Sequence, residues 1–231
     1  LFEETLKLTK AKLGPEHPNT LLSMHSLAAV YRQDGKLDLA LPLFEETLKL
    51  RKAKLGPEHP HTLFTMNSLA AAYWSAKQLD KSIPLFEETL KRQEAKLGRD
   101  HPQTLLTAGN LGANYQDAGR LAEAIPLLEE AYRAATKYPE LQFVGPRLLH
   151  AYAKAGKHDL ALPLYEETLK LQKAKLGPEH PSTLLSVNNL AAAYHAAGKF
   201  DLALPLLEET LKLRKAKLGP EHPDTLRSMN N

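Results

Sequence analysis

Histidine is the side chain best suited to acid–base work or metal ligation near neutral pH, and this chain carries ten. Five of them, His17, His59, His101, His180 and His222, recur at one place in a repeated hexapeptide, LGPEHP or its variant LGRDHP. Such a ladder could hold a metal only if the imidazoles converged. Equivalent atoms on successive packed helices lie at least about 8 to 10 Å apart, whereas zinc needs its nitrogens at about 2.0 to 2.1 Å. His59 and His61 stand closer but bring no further ligands. The Glu-Glu pairs, such as Glu45 and Glu46, could be imagined as paired carboxylates, yet consecutive helical residues point in different directions, and Lys49 stands four after Glu45. Acidic residues early in such a helix and Lys49, Arg51, Lys52 and Lys54 late in it complement the helix dipole on a solvated face. No phosphate-binding glycine loop, nucleophile motif or HExxH occurs. The chain therefore reads as no enzyme, with no catalytic residue, no metal and no cofactor.

What must position these residues is an ordinary globular composition: 231 residues, 43% hydrophobic and 25% charged, enough to bury a substantial core. Thirty Lys and Arg against 27 Asp and Glu give +3, too balanced for the basic stripe that neutralises a phosphate backbone, so nucleic acid is not an expected partner. No stretch reaches the roughly 18 apolar residues of a membrane span, and LFEETLKLTK is not a signal pattern. Without cysteine the fold rests on no disulfide, which suits a cytoplasmic setting. The opening Leu1, in place of an initiator Met, suggests a fragment.

The hexapeptide begins at Leu13, Leu55, Leu97, Leu176 and Leu218, with steps of 42, 42, 79 and 42 residues. A Leu-small-x-x-Tyr block ends at Tyr31, Tyr73, Tyr115 and Tyr194, and a degenerate copy ends at Tyr152, 37 residues after Tyr115. Periods of this length mean stacked supersecondary units, none of which can bury its apolar face alone. The reading is one solenoid over 1–231: a half-repeat 1–14, repeats at about 15–56, 57–98, 99–137, 138–177 and 178–219, and a half-repeat 220–231.

Each unit reads as two helices. The first, helix A, runs from about Pro18 to Gln33 with Leu21, Met24, Leu27, Ala28 and Tyr31 on one stripe. Gly35 can end it with positive φ, and helix B follows with Leu37, Ala40, Leu41, Phe44, Thr47 and Leu48 inward and Pro42 near its first turn. Gly56 and Pro57 stop helix B and Pro60 opens the next A, so LGPEHP is a connector.

At this point Leu27, Ala28, Tyr31, Ala40 and Phe44 fall at the spacing of the tetratricopeptide helix pair, and the match recurs in five units. The 42-residue period and stretches such as VNNLAAAYHAAGKFDLALPLLEETLKLRKAKLGPEHP resemble the kinesin-light-chain variety also found in large bacterial multidomain proteins. The resemblance implies an all-α, right-handed superhelical solenoid of antiparallel helix pairs whose A helices line a concave groove. It implies a scaffold that binds a protein or peptide partner there. The alternatives are a structural or self-assembling array with an empty groove, or the regulatory arm of a larger bacterial signalling protein.

Positions that vary between repeats are free to recognise. Nine before each Tyr stand Leu22, Phe64, Leu106, Phe143 and Leu185, and six before stand His25, Asn67, Gly109, Pro146 and Asn188. Two before come Ala29, Ala71, Ala113, His150 and Ala192, and one after come Arg32, Trp74, Gln116, Ala153 and His195, all on one helix face. By resemblance this face is the groove, and Phe64, Asn67, Trp74, Arg32, Gln116, Phe143, His150, Asn188 and His195 are its candidate contacts. Trp74, the only Trp, is expected as an exposed anchor. The resemblance to kinesin-light-chain repeats puts the double-Asn block, whose amides contact peptide main chain, at Asn188 and Asn189. The lysine-asparagine carboxylate clamp of heat-shock co-chaperones is not expected, because its places hold His25, Ala29, Asn67 and Ala71.

In the fourth unit the five residues matching Lys54 to Glu58 are missing, and Gly145 and Pro146 fall inside helix A, which predicts a kink or a late start. This unit is either simply degenerate or a bend that re-aims Phe143, Arg147 and His150. Leu1 aligns with Leu43 and Asn231 with Asn189, so Phe2 and Leu6 lack the helix that covers Phe44 and Leu48. Weak head-to-tail association through this end and the Pro223–Asn231 stub is expected.

Overall fold

The computed structural model describes residues 1–223 together with Thr225 and Leu226. Asn231 and most of the expected C-terminal stub lie outside the described residues. Among the described residues the regular elements are all helical: α1 (Phe2–Leu13), α2 (Pro18–Gln33), α3 (Leu37–Leu55), α4 (Pro60–Ser75), α5 (Leu79–Leu97), α6 (Pro102–Asp117), α7 (Leu121–Arg133), a 3₁₀ turn (Pro139–Leu141), α8 (Val144–Lys154), α9 (His158–Leu176), α10 (Pro181–Ala196) and α11 (Phe200–Leu218). The chain falls into two compact units, Leu1–Val144 and Gly145–Asn231.

In the first unit each helix packs on the next in sequence, α1 on α2 through α6 on α7, and the A helices α2, α4 and α6 also touch one another in order. Four A helices start in the same way. Proline takes the first position, where the missing N–H costs nothing, and His17, His59, His101 and His180 each accept, through Nδ1, the backbone N–H two residues on, at 3.2 Å. These loop histidines are helix caps, a role worth about 0.5 to 2 kcal/mol for good capping side chains. The B helices end at Gly56, Gly98, Gly177 and Gly219 with φ of 86° to 88°, a conformation that L side chains rarely adopt.

The core of the first unit is a stripe-to-stripe contact. Phe44, Met66, Ala28, Ala40 and Ala72 are fully buried, with Leu48, Leu63 and Leu69 closing around them. Burying a Phe side chain of this kind contributes about 1.5 to 3 kcal/mol. Leu37 and Leu41, expected inward, are only half-buried. A polar staple then fixes successive repeats: Tyr31 donates to Glu3 and Tyr115 to Glu87 at 2.6 Å, and Tyr73 donates to Glu45. Burial and the Glu45 carboxylate push the Tyr73 phenol up to about 12. Glu45 thus serves a tyrosine of the next repeat, beyond the solvated role its spacing to Lys49 suggests.

The second unit repeats the pattern. α10 packs on α9 and α11, with Leu162, Leu169, Val187, Leu190 and Ala193 in its core, and Tyr194 donates to Glu166 at 2.6 Å. The division between units falls beside Gly145 and Pro146, where α8 starts at Val144 and runs only 11 residues against the 16 of α2, α4, α6 and α10. The late helix start follows from Pro146, whose ring and missing N–H are tolerated only in a first turn.

Candidate functional site

In the first unit the A-helix face is built by α2, α4 and α6. Phe64 (45% exposed) and Leu22 (54%) stand out of it as apolar side chains, and Arg32 is exposed near the C-terminal end of α2. Asn67 is half-buried, its Oδ1 accepting from Thr107 Oγ1 at 3.1 Å, so one end of its amide is spent on the neighbouring A helix. Trp74 is half-buried rather than freely exposed, and its indole N–H donates to Asp117 Oδ2 at 2.8 Å across to α6. Gln116, expected on the surface, is buried at 2% exposure. α6 buries eleven residues against seven in α4, and its glycines let neighbours approach closely: a Cβ on Gly109 would stand 3.0 Å from Val144 and 3.3 Å from Phe143. Phe143 lies half-buried against that glycine.

In the second unit His150 and His195 are exposed, the latter set edge-on to Phe200 with centroids 5.1 Å apart. Asn188 is buried at 7% exposure. With its amide turned to accept, its Oδ1 receives Arg214 Nη1 and Nη2 at 2.9 and 3.2 Å. Its neighbour Asn189 is exposed, so only one of the two amides is open to solvent.

A recess of about 300 Å³ lies on the A-helix face of the first unit, lined by Leu22 and His25 of α2, Arg51 of α3, His61 and Phe64 of α4, and Gln103 of α6. Arg51 was expected to be a solvated complement to the helix dipole. It is instead 3% exposed. The correction follows from register: residue 51 continues the inward stripe of Phe44, Thr47 and Leu48 by one more step of three. Its guanidinium donates from Nη1 to His61 O (2.9 Å) and Thr65 Oγ1 (2.6 Å) and from Nη2 to Leu21 O (3.2 Å). All three acceptors are neutral, they use three of the five N–H donors an arginine has, and no described carboxylate pairs with it. Gln93, at the matching place in α5, is also buried, and its Oε1 finds no partner.

His25 completes the cavity. It is 5% exposed and lies between Phe44 (centroids 5.3 Å, edge-on) and Phe64 (4.7 Å). Burial, with Arg51, His61 and Arg32 adding positive charge, holds its pKa down to about 4. Burial and Arg51 lower His61 as well. Among the described residues no three metal-ligating side chains converge, and no helix is long and apolar enough to cross a membrane.

Comparison with known proteins gives the same architecture. A tetratricopeptide repeat family model matches residues 1–53, 25–94, 62–137, 148–216 and 185–231. Two crystal structures of kinesin-light-chain-type TPR-like repeats from Podosopora anserina are 31% and 32% identical to this chain, with TM-scores of 0.72 and 0.73, each covering 87% of this chain and 98% or 97% of their own. The structure of BtubC (BKLC) from P. vanneervenii shares the fold at 20% identity and a TM-score of 0.69, over 96% of this chain and 89% of its own. No match is found among curated proteins. The chain belongs to the tetratricopeptide repeat family, in its kinesin-light-chain-like form.

Proposed function

We propose that this chain is a protein-interaction scaffold whose A-helix face in the first unit holds an extended or helical peptide segment, with an acidic residue of that segment seated over Arg51. The observation that carries this reading is a buried guanidinium bonded to neutral acceptors, with no described carboxylate beside it, on an apolar-rimmed recess. Burying a charge without a counter-charge is costly, and the three neutral acceptors compensate it only in part. A ligand carboxylate would compensate the charge, while Leu22 and Phe64 would cover the apolar flank. Arg32 and Trp74 lie further along the same face and extend the contact. The chain acts by binding, without chemistry of its own.

Selection of random peptides on the immobilised chain tests the proposal. Enriched peptides should carry a carboxylate beside an apolar residue. Their affinity should fall by about tenfold or more in Phe64→Ala and Arg51→Met, as truncating a central interface residue does. Enriched peptides that bind both variants as tightly as wild type would refute the groove as the site. A selection that enriches nothing would favour the architectural reading.

A further inference from the structure

The place six before the recurring Tyr holds an amide in Asn67 and Asn188, which cannot titrate, but a histidine at position 25, beside the buried Arg51. Resting on the proposed reading of the cavity, we infer that His25 is its specificity-determining residue and couples carboxylate binding to uptake of one proton, which the imidazole takes at Nε2.

Hydrogen-bond accounting places that proton. Thr65 Oγ1 has one hydrogen, which it gives to His61 O at 2.8 Å, and it accepts from Arg51 Nη1 at 2.6 Å. Toward His25 Nδ1, at 3.5 Å, the hydroxyl can therefore only accept, so Nδ1 carries the hydrogen and Nε2 keeps a lone pair. No described group donates to that nitrogen. Beside the cationic groups that face it the lone pair is harmless. A carboxylate entering over Arg51 meets a cation on one side and this lone pair on the other, and the second contact is repulsive until Nε2 is protonated.

The charged and titratable groups facing His25 are Arg51 from α3, His61 from α4 and Arg32 from its own helix, all of which oppose a second positive charge. A bound carboxylate reverses the balance, because it compensates Arg51 and attracts the imidazolium directly. If the ligand restores the ordinary histidine pKa of about 6.5, affinity should rise about tenfold between about pH 7.5 and 5.5. The apolar rim selects which carboxylate benefits: one carried on an aryl or alkyl group that can lie against Leu22 and Phe64.

The probe is 3-phenylpropionate, titrated calorimetrically into the whole chain at about pH 7.5 and 5.5, in two buffers of different ionisation enthalpy to count protons. Wild type should bind about tenfold tighter at the lower pH with net proton uptake. His25→Asn, which installs the amide of the sister repeats, should bind with the same affinity at both and take up no proton. Arg51→Met should lose binding throughout. A carbon-13 histidine spectrum of wild type alone, with and without ligand, reads the same proton without any variant. Arg51-dependent binding that does not change with pH, or an unshifted His25 resonance, would overturn the proton coupling and leave the carboxylate site standing. Absence of Arg51-dependent binding at either pH would overturn both. A peptide bearing the carboxylate on a side chain and one bearing it at its C-terminus then distinguish the two sources of the group.

Discussion

His25 makes a prediction that needs no ligand. In the folded chain its pKa is held at about 4 by burial and by Arg51, while in the unfolded chain it returns to about 6.5. The unfolded state therefore binds a proton that the folded state refuses, and stability contributed by the neutral imidazole is fully present above about pH 6.5 and lost as pH falls toward 4. Between about pH 7.5 and 5 the loss works out at about 2 kcal/mol, rising to about 3 kcal/mol near pH 4. Trp74 is the only Trp and sits in α4, the helix that carries Phe64 against His25, so urea unfolding followed by its fluorescence reports on the right unit. Carboxylates titrate in wild type and variant alike, so the informative quantity is the difference between wild type and His25→Asn. Wild type should lose about 2 kcal/mol more than the variant over this range. Equal losses, within about 0.5 kcal/mol, would show that His25 is not held neutral by its surroundings, and the reasoning about the cavity's electrostatics would fail with it.

Gly112 occupies the place of Ala28, Ala70 and Ala191, and a Cβ there would stand 2.9 Å from Leu128 Cγ and 3.1 Å from the Ala124 carbonyl. Gly112→Ala should therefore destabilise the first unit by about 1 to 2 kcal/mol despite the gain in helix propensity, a result that a raised urea midpoint would refute. Phe2 is 45% exposed where Phe44 is fully buried, so the 231-residue chain should self-associate weakly as concentration rises, and Phe2→Lys should abolish this in sedimentation equilibrium. Association that survives the substitution would place the contact elsewhere.

The helices were legible because their ends are written in residue types with fixed backbone demands. Pro18 and Gly35 bracket α2 at Pro18–Gln33, and the same pair brackets α6 and α10, whereas α8 opens at Val144 without a leading proline. One exception shows the limit of that rule: Lys77 takes the left-handed position that glycine fills elsewhere, with φ of 59°, and the helix still ends there. The capping histidines recur with the connector, but nothing in LGPEHP tells a cap from a spacer until Nδ1 is seen against the N–H two residues on. The candidate site was legible only where a side chain's surroundings are its own helix. Phe64 and Arg32 are exposed on that face. Gln116 lies on the same face of the first unit but is buried, because α6 sinks into its neighbours through Gly109 and Gly112, and in the second unit Asn188 is buried because Arg214 reaches up to it. Arg51 shows the reverse failure. A helix-dipole rule is satisfied by any cation in the last turns, so it treats Arg51 and Lys52 alike, yet only residue 51 lies on the stripe with Phe44, Thr47 and Leu48. Where a local rule and the register disagree about one residue, the register decides burial, and a cation that the register drives inward is the place to look for a ligand.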